Sequence, residues 1–182
     1  IDEKKVTGYA LCIIQDPAEP NLIFVGTEQG LWVSLDNGVS FEQWKNGYPS
    51  VSTYDMVIQE READLVIATF GRAIWILDDI TPLRQLTGQF ADVSVILYKP
   101  QTATRVRWSM YPDTPVPQEE PAGQNPPDGA IINYYLHNNV SGVQLEILDS
   151  KGKIIRKYAS DDTLYTIPKN NVPPYWIRPQ QV

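Results

Sequence analysis

Apolar residues come along this chain in short runs separated by clusters of Pro, Gly, Asn and Asp. This is the pattern of brief β-strands joined by tight turns. Tyr9 to Ile14 reads as a first strand, and Asp16-Pro17-Ala18-Glu19-Pro20-Asn21 as the turn that ends it. Leu22 to Gly26 is a second strand. Glu28-Gln29-Gly30 reverses the chain into a third, Leu31 to Leu35, and Phe41 to Trp44 makes a fourth. Met56 to Gln59, Leu65 to Thr69 and Ala73 to Leu77 repeat the first three. Because these runs are almost continuously apolar, they are expected to be buried on both faces.

After Asp79 the character changes. Thr81 reads as an N-cap residue followed by Pro82 at the first helical position, so one or two helical turns are predicted over Thr81 to Leu86. Val93 to Tyr98 and Thr104 to Trp108 look extended. Pro112 to Pro127 holds six prolines among Glu, Gln, Asn and Gly, a composition that builds no core and reads as a linker or exposed arm. Beyond it Ala130 to Leu136 is a strand. Val143-Gln144-Leu145-Glu146-Ile147 alternates as a half-buried strand does, with Gln144 and Glu146 outward, and Asp149 to Lys153 turns into Ile154 to Tyr158. Such a succession suggests a β-sandwich of immunoglobulin-like type, left unfinished at Val182. The organisation expected is therefore strand repeats over 1–90, an extended Pro-rich segment over 91–127 and a sandwich over 128–182.

The early strands are a repeat. NLIFVGTEQGLWVSLD (Asn21 to Asp36) and DLVIATFGRAIWILDD (Asp64 to Asp79) align at a spacing of 43 residues. That spacing pairs Trp32 with Trp75, Leu31 with Ile74, Leu22 with Leu65, Ile23 with Val66 and Asp36 with Asp79. It lies in the range of one β-propeller blade. A blade cannot bury its faces alone, so the chain is expected to belong to something larger. The first unit ends in Ser34-x-Asp36-x-Gly38-x-Ser40-Phe41. Asp36 is suited to accept backbone N–H groups ahead of it, Gly38 to adopt a positive φ, and Ser34 and Ser40 to bond across the hairpin mouth. These are structural roles. Phe41 and Trp44 return as an apolar strand.

This octet resembles the Asp-box of bacterial neuraminidase (BNR) repeats, found in the propellers of sialidases, xyloglucanase-type glycoside hydrolases and sortilin-like receptors. The second unit, Thr69 to Leu83, resembles the closing blade of large secreted bacterial proteins of that class, many described as glycosyl-hydrolase-like. The segment GVQLEILDSKGKIIRKY resembles the Ig-like domains that follow such propellers and those of flagellar hook-capping proteins. The resemblance implies an all-β chain, incomplete BNR blades followed by an Ig-like module, in a secreted or periplasmic protein whose remaining blades lie in a longer parent. It implies a polysaccharide or a protein as ligand. The sialidase arginine triad and Tyr-Glu pair are not recognisable here, which argues against sialidase activity.

Blade topology constrains where a site sits. The Asp-box turn joins strands three and four, so the turn between strands two and three falls at the opposite end. In enzymes of this architecture that opposite end carries the site. Here it would hold Glu28 and Gln29, the stretch Tyr48 to Asp55, and Phe70 with Arg72, with Tyr54 and Asp55 just ahead of an inner strand and Tyr48, Tyr54 and Phe70 as the aromatic candidates. Arg72 is expected to meet a neighbouring carboxylate or carbonyl. Glycoside hydrolysis needs two carboxylates across the scissile bond; Asp55 is a candidate for one, and most catalytic residues would lie outside this chain. Two readings stay open: a carbohydrate-binding or carbohydrate-hydrolysing propeller, and a non-catalytic propeller that binds protein or peptide.

Composition narrows this a little. The net charge of −7 and the scatter of Lys and Arg argue against a nucleic-acid partner. No apolar run is long enough to span a membrane. No signal segment is visible, though the chain opens at Ile1 rather than Met. The single cysteine, Cys12, lies in an apolar run, and the single histidine, His137, in a turn context. One Cys and one His give no internal disulfide, no expected metal site and no nucleophilic triad, and a lone Cys sets the chain apart from sortilins with their Cys-rich following module. No phosphate loop is present, so no cofactor is expected. Asn139-Val140-Ser141 fits a glycosylation sequon.

Overall fold

The computed structural model describes residues 6–87, 94–104, 123, 125–127, 129–137 and 140–163. Among the described residues the structure is all-β apart from one short helix, and the strands form small antiparallel sheets. It divides into two compact units, Ile1–Tyr135 and Leu136–Val182.

The first sheet has strands β1 (Ala10–Gln15), β2 (Ile23–Thr27), β3 (Gly30–Ser34) and β4 (Glu42–Gln43), paired in that order. The second has β5 (Thr53–Gln59), β6 (Asp64–Thr69) and β7 (Ile74–Leu77), again in chain order. Helix α1 (Thr81–Leu86) carries Pro in its first turn as expected, but its N-cap is Ile80 without a side-chain cap; Thr81, expected as the cap, is the first helical residue and its hydroxyl donates to Asp79. Strand β8 (Val95–Leu97) then pairs with β9 (Tyr134–Leu136). In the second unit β10 (Gln144–Leu148) and β11 (Ile154–Ala159) form a hairpin closed by the Asp149 carboxylate, which accepts the Lys151 and Lys153 amides. Gln144 and Glu146 are exposed there while Leu145 and Ile147 are half-buried, the alternation expected.

The main core lies between the first two sheets. Phe24, Leu31 and Val33 of the first sheet, with Cys12 and Ile14 at its margin, meet Met56, Ile58, Leu65 and Ile67 of the second, and Trp75 and Leu77 close the edge. Alternation along each strand sends these residues to facing sides, so one face of the first sheet packs on one face of the second. Burying each large apolar side chain contributes about 1.5–3 kcal/mol. Strands β1 and β5 approach so closely that the Cys12 thiol donates to the Thr53 carbonyl at 3.6 Å. A Cβ at Gly26 would lie 2.5 Å from Cys12 Sγ and 2.7 Å from the Thr53 carbonyl oxygen, so only glycine fits beside β5. Helix α1 closes one end: Ile80 is buried in the core and its amide bonds the Ala63 carbonyl, and Leu83 packs against the same cluster.

Several expectations change. The fourth strand shortens to Glu42–Gln43, because Phe41 turns instead onto the far face of the first sheet against Val6, Val25 and Trp32. Strand β5 begins at Thr53 rather than Met56, so Tyr54 and Asp55 lie within it, at a bulge matched between Ala10 and Cys12 in β1. The repeat register also slips. Trp32 pairs with Val25 and Trp75 with Ile67, so β2 and β6 correspond at 42 residues, whereas the tryptophans keep 43. Leu22–Leu65 and Ile23–Val66 are therefore not equivalent positions. The reason is one extra residue in the β6–β7 turn, where the Thr69 hydroxyl donates to Ala73 O. In the tighter β2–β3 turn the Thr27 hydroxyl donates to Gly30 O.

Burial on both faces holds for β2 and β3 but not for β5 or β7, whose outer residues Val57, Ile74 and Ile76 are more than half exposed. No sheet among the described residues covers them. Strand β8 falls inside the stretch read as linker, and the strand expected over Ala130 to Leu136 shortens to β9 and pairs with β8 instead of joining a sandwich. Residues 105–122, including the Thr104 to Trp108 strand beyond its first residue, lie outside the described residues, as do Pro173 to Val182.

Candidate functional site

The two ends of the sheet pair differ in chemistry. At one end the octet after β3 folds as a hydrogen-bonded cage. Ser34 Oγ donates to Asp36 Oδ1 at 2.8 Å and accepts the Gly38 amide at 2.8 Å, while Asp36 Oδ1 also accepts the Ser40 amide at 2.8 Å and Oδ2 the Ser40 hydroxyl. Asn37 and Gly38 take positive φ values of 56° and 81°, the conformation for which Gly38 is placed. The Ser40 hydroxyl and amide, joined by the Ser34 hydroxyl, hold the Asp36 carboxyl down at about 2. Every oxygen of this carboxylate is committed to the turn, which leaves Asp36 a structural residue.

The second unit does not rebuild the cage at Asp79, because Leu77 stands where Ser34 does. Asp79 Oδ1 instead accepts the amide and hydroxyl of Thr81, the first residue of α1, and the Gln101 side-chain amide, and its own N–H bonds Asp64 Oδ1. Nearby, burial followed by the Asp64 charge pushes the Asp78 carboxyl upward.

At the other end three turns converge. Ser52 holds them together: its hydroxyl donates to the Glu28 carbonyl, and its carbonyl accepts the Phe70 amide at 2.9 Å. Glu28 and Gln29 thus stand beside the 70–73 turn, and both side chains are exposed. Tyr54, at the β5 bulge, and Phe70 form a tilted ring pair with centroids 5.8 Å apart, 56 % and 71 % exposed. Arg72 is exposed at the tip of the same turn. Its carbonyl accepts the Trp75 indole at 2.9 Å, and its guanidinium has no ion-pair partner among the described residues, so the expected neighbour is not a carboxylate of this end. Trp32 is the counterpart of Trp75, but the carbonyl three residues before it, that of Gln29, accepts the Gln43 side-chain amide, and the buried Trp32 indole N–H finds no acceptor among the described residues.

Two candidates sit differently from the rest. Tyr48 is only 8 % exposed; its hydroxyl shares a hydrogen bond with Thr53 Oγ1 at 2.7 Å and its ring meets Trp75 edge-on at 5.6 Å, which makes it part of the core. Burial pushes its phenol upward. Asp55 is exposed on β5 opposite Ala68, and its Oδ1 accepts the amide of Met56. The geometry therefore gathers Glu28, Gln29, Tyr54, Phe70 and Arg72 at one end and withdraws Tyr48. Ser52, inside the Tyr48 to Asp55 stretch expected at this end, is the residue that ties the turns, a role the sequence did not single out. Sequence reasoning missed the threonines Thr27 and Thr69, whose signal was present as a Thr closing each apolar run just before its turn.

Among the described residues no group of three or more His, Cys, Asp and Glu side chains is placed to hold a metal ion, and no helix is long and apolar enough to cross a membrane. The thiol of Cys12, pushed upward by burial, faces the sheet interface. A shallow open groove runs between α1 and the Lys99–Thr102 segment, where Gln85 makes paired hydrogen bonds with the Lys99 backbone. No family model, curated protein or solved structure matches the chain.

Proposed function

We propose that residues 1–90 are blades of a secreted or periplasmic BNR-type β-propeller, completed by further blades of the same repeat, and that the end formed by Glu28, Gln29, Tyr54, Phe70 and Arg72 binds carbohydrate. The 128–182 module is read as Ig-like. The blade reading draws support from the Asp-box cage and from the face-to-face packing of two repeat sheets.

The observation that carries the ligand assignment is the exposed Tyr54–Phe70 pair beside acid, amide and guanidinium groups. Flat aromatic faces take the apolar faces of sugar rings, and the polar neighbours take their hydroxyls. The same end suits a protein or peptide ligand less well, since its surface is polar around a single ring pair.

The test is titration of the full chain with a panel of oligosaccharides, followed by release of reducing sugar. Saturable binding weakened about threefold to tenfold by Tyr54→Ala or Phe70→Ala supports the reading. Hydrolysis lost in Asp55→Asn would extend it to glycoside hydrolysis. Absence of sugar binding, with saturable binding of a peptide, would replace it with the non-catalytic interaction reading.

A further inference from the structure

Among the described residues the two most exposed large apolar side chains are Tyr9, at 77 %, and Phe70, at 71 %. Phe70 belongs to the ring pair of the candidate site. Tyr9 stands just ahead of β1, on the other sheet, and is not among the residues assigned to that site. One relay of hydrogen bonds nevertheless joins the two. The Tyr9 carbonyl accepts the Glu28 amide at 3.2 Å, the Glu28 carbonyl accepts the Ser52 hydroxyl at 3.1 Å, and the Ser52 carbonyl accepts the Phe70 amide at 2.9 Å. Along this relay Glu28 lies between the two aromatic residues.

The segment that carries Tyr9 is held in place by the same turn. Gly8 takes a φ of 84°, which a residue with a Cβ resists, and a Cβ there would meet Gln29 Cγ at 3.3 Å. The Thr7 hydroxyl donates to Gln29 Oε1 at 3.1 Å. Gln29 therefore packs and bonds against residues 7–8, and Glu28 holds Tyr9 by its backbone. A ring left in water adds little to the fold through its apolar surface, and its flat face stays open to a ligand.

We propose that Tyr9 is a second sugar-stacking position, so that this end takes an oligosaccharide rather than a single sugar. One ring lies on Tyr54 and Phe70, another on Tyr9, and hydroxyls of the stretch between them meet Glu28. The inference rests on the carbohydrate reading of this end and adds to it the length of the ligand and the residue that reads that length. Once one ring is seated, the second binds as an intramolecular step, so affinity rises with the number of linked rings until Tyr9 is reached.

The test is calorimetric titration of the full chain and of Tyr9→Ala, Tyr9→Phe and Tyr54→Ala. The probes are ladders of β-linked glucose, xylose and N-acetylglucosamine from disaccharide to hexasaccharide. Both tyrosines are exposed, and an unchanged thermal midpoint checks that each variant keeps the fold. Wild-type affinity is expected to rise by about threefold to tenfold at the length that reaches Tyr9. Tyr9→Ala should lose that rise and bind the longer sugars as it binds the shorter ones. Tyr9→Phe should keep it, and Tyr54→Ala should weaken every length. The proposal is overturned by wild-type affinity that stays flat along the ladder, by a Tyr9→Ala chain that keeps the rise, or by one that weakens every length alike. In each of these results sugars still bind, so the carbohydrate reading stands without it. If no length binds the wild-type chain, the carbohydrate reading itself fails, and the inference with it.

Discussion

Arg84 reaches back to Asp16 across 68 residues. Its Nε and Nη2 lie 3.0 and 2.8 Å from Asp16 Oδ2, while Asp16 Oδ1 accepts the amides of Ala18 and Glu19 at 2.8 and 2.7 Å. The Asp16 side chain is completely buried and that of Arg84 is 19 % exposed. One carboxylate thus fixes the β1–β2 turn with one oxygen and anchors α1 with the other. Since α1 follows β7, this pair ties the end of the second repeat to the beginning of the first.

Removing one partner of such a pair leaves a buried charge without compensation. Arg84→Met is therefore expected to destabilise the first unit by about 3 kcal/mol, read as a lowered urea midpoint. The double variant D16N/R84M should lose less than the sum of the single losses. Additive losses would show that the two side chains act independently.

Gly26 marks where β2 passes closest to β5. Gly26→Ala drives a methyl group into the Thr53 carbonyl and the Cys12 sulfur, and an overpacking cost of about 1–3 kcal/mol is expected. Gly142→Ala meets nothing nearer than Ser160 Oγ at 3.6 Å and should stay within about 0.5 kcal/mol of the parent. Equal thermal stability of the two variants would contradict the tight approach of the sheets.

The Asp36 carboxyl is held down at about 2, below the ordinary carboxylate value of 3.8, because hydrogen bonds from Ser40 favour the charged form. A group depressed in this way contributes stability above its unfolded pKa, and the contribution fades as pH falls through the folded value. The stability difference between the parent and Asp36→Asn is thus expected to be full at pH 6 and to shrink from about pH 4 toward pH 2. Its size is modest because the carboxylate is exposed. Carboxyl-carbon NMR titration reads the same property directly, and a midpoint near 4 would count against the cage.

Cys12 lies half-buried against β5 with its thiol raised by burial and engaged with Thr53. The thiolate is the reactive form, so Cys12 should react with a thiol reagent slowly in the folded chain at pH 7.5 and much faster in urea. Equal rates would place it on an open surface.

Local chemistry is what the sequence determined by itself. Among the described residues the apolar runs bounded by Pro, Gly, Asn or Asp hold the strands, at full length for most and as a short piece for Phe41 to Trp44 and Ala130 to Leu136. Thr81 with Pro82 opened the helix, and Ser34, Asp36, Gly38 and Ser40 closed the cage, because each of these depends on residues within a few positions of one another. The tertiary structure decided what depends on neighbours far along the chain. The extra residue in the β6–β7 turn shifted the repeat by one, which no local pattern reveals, since Leu22 and Leu65 look alike in any alignment. Packing of Tyr48 against Trp75 withdrew a candidate ligand residue into the core. Pairing with β8 claimed β9, and the Asp16–Arg84 contact joined two turns that carry no mutual signal. Strand formation needs only alternation and turn chemistry, whereas which face is covered is settled by the sheet that arrives to cover it.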